Sequence, residues 1–377
     1  PPPPPPLFQA EDGIRDRVSC LVGSEMCIRD SITDLMVRRN DLVLATQGRA
    51  FWVIDDILPL RQFDATQESA SAHLYAPSPA IRLTPTKGRA SGGESVAASA
   101  PDGAVLYYAL AQEIDLEEQS LRLDVLTADG TVIRSLEADA KKGVEGGGSD
   151  STLAMPAQKG INRVVWDLRT DPTETLDYDV VYGARADKAI AGYAVAPGTY
   201  TLRLQLGEEV QEQSLAVNWD PINSYDSAAI GEQQAFVAEV FGMIDAVYTR
   251  VASMQSIHKQ VQLRQTLAQE AGDDIVAEAA ESLLSALDEW QKSVTTPQRE
   301  TFQDVLNFHP RIDAFLIDVY QQADKAVLGL TQGQRDRLDD LRPQWQEAMT
   351  AWQKLVEEDV AAFNAVAGPA VAAPDWD

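Results

Sequence analysis

The sequence predicts a multidomain chain, β first and α second, in which a two-sheet β-sandwich precedes an α-helical bundle. Three observations carry that class. Apolar residues recur with period two through residues 101 to 218. After Trp219-Asp220-Pro221 they recur every three or four residues. Turn-forming pairs such as Asp129-Gly130 and Pro197-Gly198 fall between the apolar runs.

Residues 1–31 are set apart first. Gln9-Ala10-Glu11-Asp12-Gly13-Ile14-Arg15-Asp16 is the translation of CAA GCA GAA GAC GGC ATA CGA GAT, which resembles a sequencing flow-cell adapter. Leu21-Val22-Gly23-Ser24-Glu25-Met26-Cys27-Ile28-Arg29-Asp30 translates a string that resembles a transposase adapter. Pro1 to Pro6 then reads as a run of C, not as a polyproline linker. The segment is expected to be non-native and without fold.

Both cysteines, Cys20 and Cys27, lie inside it, so the remainder offers neither a disulfide framework nor a thiolate metal site. Removing its five acids and three bases moves the formal charge from -27 to about -25. A surface this acidic repels phosphate backbones, which argues against a nucleic-acid partner. No run reaches the roughly 18 to 20 apolar residues that a membrane span needs.

Residues 32–63 carry two strand-like runs, Leu42 to Thr46 and Ala50 to Ile54, joined at Gln47-Gly48-Arg49. Two strands alone are marginal in water, so this hairpin is expected to belong to something larger. Residues 64–100, rich in Ala, Ser, Pro and Gly, read as a linker.

Strands are expected at Val105 to Leu110, Leu121 to Leu126, Val132 to Leu136, Ile161 to Arg169, Thr199 to Leu206 and Val210 to Val217. In the fourth, Val164, Trp166 and Leu168 share one face, and Arg163, Asp167 and Arg169 the other. That many short strands in 101–218 suggest an immunoglobulin-like or fibronectin type III-like sandwich. The stretches 137–160 and 170–197 are long enough to be surface insertions.

Four helical segments fill 222–368, with 369–377 as a tail. Val237, Val240, Ile244, Val247, Val251 and Met254 form one stripe, and His258 stands at its next position as a polar seam residue. Val276, Ala280, Leu283, Leu287 and Trp290 form a second stripe. Ile312, Leu316, Val319 and Ala323 form a third, and Leu338, Leu341, Trp345, Ala348 and Trp352 a fourth. Breaks fall at Ala271-Gly272, Thr296-Pro297 and Gly329 to Gly333, with Pro310 at the entry of the third.

Chemistry-bearing patterns are sparse. His73, His258 and His309 lack a second ligand at metal-binding spacing, so neither a metal nor a cofactor is expected. Acid pairs such as Asp55-Asp56 and Asp273-Asp274 are what an acidic chain contains by chance, and no nucleophile elbow or phosphate loop is present. His309 is expected at a helix entry, and Trp345 and Trp352 in the bundle core. No catalytic residue is assigned. Tyr178, Tyr182 and Tyr193 in the 170–197 insertion are carbohydrate-binding candidates, because sugar faces stack on aromatic rings presented by loops.

Asn40-Asp41-Leu42-Val43-Leu44-Ala45-Thr46-Gln47-Gly48-Arg49-Ala50-Phe51-Trp52-Val53-Ile54-Asp55-Asp56 resembles the end of the propeller in bacterial BNR-repeat, sortilin-like (VPS10-like) glycosyl-hydrolase-type proteins. Where that family usually has His and Ser, this chain has Gln47 and Ala50. The resemblance continues through Pro101-Asp102-Gly103-Ala104, Gly160-Ile161-Asn162-Arg163, Trp166-Asp167-Leu168-Arg169, Pro197-Gly198-Thr199-Tyr200 and Asn307-Phe308-His309-Pro310-Arg311.

It implies that 32–63 is the last-blade hairpin of a truncated β-propeller and that the whole protein is exported, periplasmic or extracellular. The chain's partner is then the missing N-terminal propeller, with a polysaccharide or protein as ligand. Family catalysis belongs to propeller loops, so the resemblance assigns this chain an accessory role, non-catalytic by itself. A non-enzymatic sortilin-like binding or scaffold protein is the alternative, and a carbohydrate-binding sandwich the second alternative.

Overall fold

The computed structural model describes residues 31–48, 50–63, 70–83, 101–138, 155–173, 189–222, 226–298, 307–326, 329–368 and 370–372. The order of elements is β first and α second. Among the described residues, eleven strands form three sheets, and a helical region lies beyond Trp219.

The first sheet is an antiparallel meander, β1 (Ile32–Arg38), β2 (Asp41–Thr46) and β3 (Phe51–Ile54), in that order. The expected hairpin is β2 and β3; β1 is an addition. Its run Leu35-Met36-Val37 does not alternate, and every residue of β1 is exposed. A short helix, α1 (Leu58–Gln62), fastens this sheet to the segment around Ala76 and Ser78. Arg61 donates to the carbonyl of Arg39 at 2.9 Å, and Gln62 and Ala76 exchange bonds of 2.8 and 2.9 Å. Asn40 donates to the Ser78 hydroxyl at 2.9 Å.

The linker reading of 64–100 needs correction. Residues 72–74 form β4 and 80–82 form β5, with Ala72, Leu74, Tyr75 and Ala80 buried. Three residues are too short to display a period of two, so composition alone pointed the wrong way.

β4 joins β6 (Ala104–Leu110) and β9 (Gly160–Trp166) in the order β4-β6-β9, all antiparallel. β5 lies parallel to β11 (Glu209–Trp219), and that sheet continues through β10 (Gly198–Leu206) and β7 (Leu121–Leu126) to β8 (Val132–Glu137). The two sheets share one core. Leu74, Leu106, Tyr108, Val164 and Trp166 meet Leu123, Val125, Leu202, Leu204 and Leu215. Gln211 and Gln213 of β11 close the gap between the sheets by hydrogen-bonding the backbone of β4. At the start of β10, Tyr200 donates its hydroxyl to the Ala196 carbonyl at 2.6 Å, and its ring meets Trp166 edge-on.

β9 stops at Trp166, short of the expected Arg169, because Leu168 adopts φ 58°. A branched side chain in the left-handed region is held there by its surroundings. The turn leaves Leu168 buried with Val164 and Trp166 as the alternation requires, but swings Arg169 out of the sheet.

α2 (Ser227–Ala271) begins at Asp226, whose carboxylate caps the Ala228 amide, and ends at Gly272 with φ 71°. α3 (Asp274–Val294), α4 (Ile312–Asp324) and α5 (Gln332–Lys354) come next. A π-helical turn, Leu355–Val360, then leads into α6 (Ala361–Ala367). Thr331 and Gln334 form a reciprocal capping box at the start of α5. The four stripes line one core, with Val237, Val240, Ile244, Val247, Val251 and Met254 all buried. His258 is not its continuation. Ile257, fully buried, takes that place, and His258 lies 3.4 Å from the Asp288 carboxylate on the flank. A spacing of three instead of four decides it, since a stripe on a long straight helix drifts.

Candidate functional site

The polar groups most thoroughly organised by the fold sit where the β module meets the bundle. The stretch 170–197 is where they originate. Its two limbs run side by side: the Thr170 and Thr173 amides donate to the Tyr193 and Ile190 carbonyls at 3.1 and 3.0 Å. The return limb reaches the bundle before it rejoins the β core, for Ile190 belongs to the bundle core and Tyr193 packs against it, while Val195 is buried in the β core.

Arg169 stands at the base of this stem. Its Nε donates to the Gly192 carbonyl at 2.6 Å, and its Nη2 pairs with the Asp324 carboxylate at the end of α4. The other oxygen of Asp324 accepts the Ala194 amide at 3.0 Å. Tyr320 donates to the Ala191 carbonyl at 2.6 Å, and Gln234 of α2 donates to the Ala194 carbonyl at 3.0 Å. Burial opposes the charge on Arg169, yet Asp324 and Tyr320 outweigh it and hold the guanidinium above its usual value. Burial, reinforced by the Asp324 charge, raises the Tyr320 phenol, so it stays a neutral donor. Gly192 is required by space: a Cβ there would lie 2.2 Å from the Thr170 carbonyl oxygen.

This arrangement fixes one unit to another. None of its members was legible as a site. Arg169 read as an outward strand residue, and Asp324 lies 155 positions away in sequence.

Of the carbohydrate candidates, Tyr178 and Tyr182 lie outside the described residues. Tyr193 meets Phe241 of α2 edge-on at 5.8 Å, and burial raises its phenol. The structure therefore places that ring in the junction with the bundle.

The sheet β4-β6-β9 carries a cleft of about 490 Å3, lined by Phe63, His73, Tyr75, Ala109, Lys159 and Ile161 among others. Burial lowers the His73 imidazole, which favours its neutral form. Its ring neighbour is Tyr75, edge-on at 4.8 Å. Among the described residues, no hydrogen bond from a third group orients that pair as a catalytic arrangement requires. Among the described residues, no three His, Cys, Asp or Glu side chains converge to hold a metal ion, and no helix is long and apolar enough to cross a membrane.

The acid pairs have local duties. Asp273 caps α3 by accepting the Val276 amide, and Asp56 accepts the Leu58 amide at 3.2 Å. His309 precedes α4, where its carbonyl accepts the Thr296 hydroxyl at 2.8 Å. Trp352 stacks tilted on Trp290 at 4.6 Å, and Trp345 donates to the Met243 carbonyl at 3.0 Å. Asp313, by contrast, is 1% exposed, and its Oδ2 finds no hydrogen-bond partner among the described residues. Burial pushes its carboxyl up to about 7.

No family model matches the chain, and no curated protein matches it. A solved structure named pT26-6p aligns over 72% of this chain and 48% of its own length, at 9% identity and a TM-score of 0.15. The aligned part is thus about half of that protein, and a likeness this low says nothing about fold or activity.

Proposed function

We propose that this chain is the accessory C-terminal region of a glycosyl-hydrolase-like, BNR-repeat β-propeller protein, non-catalytic by itself, whose β module and bundle brace the propeller. The observation that carries the reading is the character of the β1–β2–β3 sheet. Register puts Leu35, Val37, Leu42, Leu44, Trp52 and Ile54 on one face, and Met36, Val43, Phe51 and Val53 on the other. A sheet apolar on both faces is one built to be covered on both, as a blade between neighbours is. Yet Leu35, Met36, Phe51 and Val53 are 55 to 75% exposed.

Two further features support the reading. The strand order, with β5 parallel to β11, and the Tyr200 hydroxyl bonded back to Ala196 suit a fibronectin type III-like sandwich. The Arg169–Asp324 junction makes that module and the bundle a single support. The blade reaches it through α1, by Arg61 and Gln62, and directly through Asn40 and Ser78. By the same resemblance, the whole protein is exported.

The purified chain is expected to release no sugar from sialosides or from a panel of polysaccharides. Reducing-end release above that of a heat-denatured sample would overturn the accessory role, because the described cleft would then have to be catalytic.

A further inference from the structure

We propose that β1 is a self-association edge, pairing antiparallel with β1 of a second copy of this chain about a two-fold axis through Met36. Among the described residues only one side of β1 is paired, because the sheet order ends at β1. The two-residue turn Arg39-Asn40 makes Arg38 and Asp41 a hydrogen-bonded pair, so by alternation Met36 also bonds to β2. Leu35 and Val37 then direct their N–H and C=O groups outward. In the single chain the Leu35 amide is capped by its neighbour Asp34 Oδ1 at 2.9 Å, a bond that strand pairing replaces.

Of the usual defences of an open edge, β1 keeps an irregularity between Ile32 and Asp34 and the charges of Asp34 and Arg38. β1 contains no proline and no lysine, and it follows β2 in register without a bulge from Asp34 to Arg38. What it does contain is self-complementary. With Met36 on the axis, Leu35 faces Val37 of the partner through the outward groups, and Asp34 faces Arg38 of the partner. Asp34 and Arg38 then occupy the non-hydrogen-bonded pair, where opposed side chains approach most closely. Two-fold symmetry repeats each contact, as an isologous interface requires. A register centred on Leu35 would set Ile32 against Arg38 and lose both charge pairs. Opposite charges thus select the register as well as the partner.

The inference stands apart from the proposed function: an upstream sheet would compete for the same edge, and a strictly monomeric chain could still be a brace. Sedimentation velocity of the full chain across the micromolar range should show a reversible monomer–dimer equilibrium. Asp34→Arg or Arg38→Asp alone sets like charges against each other twice and should weaken dimerisation about tenfold or more. The Asp34→Arg/Arg38→Asp double variant restores the opposite-charge pairs and should recover most of the loss. Near-UV circular dichroism should be unchanged in all three, since β1 contributes nothing to either buried core. A chain monomeric throughout the range overturns the proposal. So does a double variant no better than the singles, or assembly that is open-ended and indifferent to both charges, as adhesion of the apolar faces would be.

Discussion

Asp324→Ala is expected to destabilise the chain by about 3 to 5 kcal/mol, the usual cost of leaving the partner of a buried ion pair uncompensated. The reason is concentration of function in one carboxylate. Asp324, its side chain 6% exposed, holds the Arg169 guanidinium with one oxygen and the Ala194 amide with the other. Its loss strands a charge and a backbone donor together, in a place that water does not readily fill. Arg169→Ala should cost somewhat less, because the carboxylate keeps the Ala194 bond. Arg169→Met combined with Asp324→Leu should be milder than Asp324→Ala, since an apolar pair removes both desolvation costs at once. Urea unfolding monitored by Trp fluorescence reads all three. The two singles should also separate the unfolding of the β module from that of the bundle, because these groups join them. An Asp324→Ala midpoint equal to the wild type would show that the junction contributes nothing.

Asp313→Asn is expected to stabilise the chain at pH 8 and to change it little near pH 4. Burial raises the Asp313 carboxyl from 3.8 to about 7. Between those values the unfolded chain has released a proton that the folded chain retains. Stability therefore falls as pH rises from about 4 to about 7 and is level beyond, with a total loss on the order of 4 kcal/mol at about 1.4 kcal/mol per unit. The amide occupies the same space and cannot ionise. The variant should thus gain about 2 to 4 kcal/mol at pH 8, the lower figure allowing for imperfect amide hydrogen bonding. Burial also raises Asp56 and Asp171, which tilts the wild-type profile in the same direction. The difference between variant and wild type isolates Asp313. Parallel pH profiles for the two would contradict the burial of an uncompensated carboxyl.

How far the fold was legible depends on which interactions were local. The helical stripes were, because residues three and four apart are neighbours on one helix, and Val240, Leu287, Leu316 and Leu338 are all fully buried. The β7–β8 hairpin was, because Asp129-Gly130 specifies its turn, with Gly130 at φ 87°. β4 and β5 were not: each is three residues long and is stabilised by partners more than 20 positions away. Asp313 stands in the first turn of a helix, where the dipole favours an acid and nothing local marks it as buried. Its burial comes from the tertiary packing of α4. The junction was the least legible of all, since Leu168 gives no sign in sequence of a positive φ, and that turn is what aims Arg169 at the bundle.

The β1–β2–β3 sheet is the part whose sequence and surroundings disagree most: apolar on both faces, yet with Leu35, Met36, Phe51 and Val53 exposed. Hydrogen exchange at its amides tests directly whether it is made to be covered. In dilute, monomeric chain, β1 and β3 should exchange at least about two orders of magnitude faster than β7 and β10, which lie inside the shared core of the β module. In a longer polypeptide that carries upstream β-sheet, residues 32 to 54 should gain that protection while β7 and β10 stay as they were. Protection of β1 to β3 already equal to that of β10 in the chain alone, or no gain with the upstream sheet present, would contradict the proposed role of this chain as a brace for a propeller.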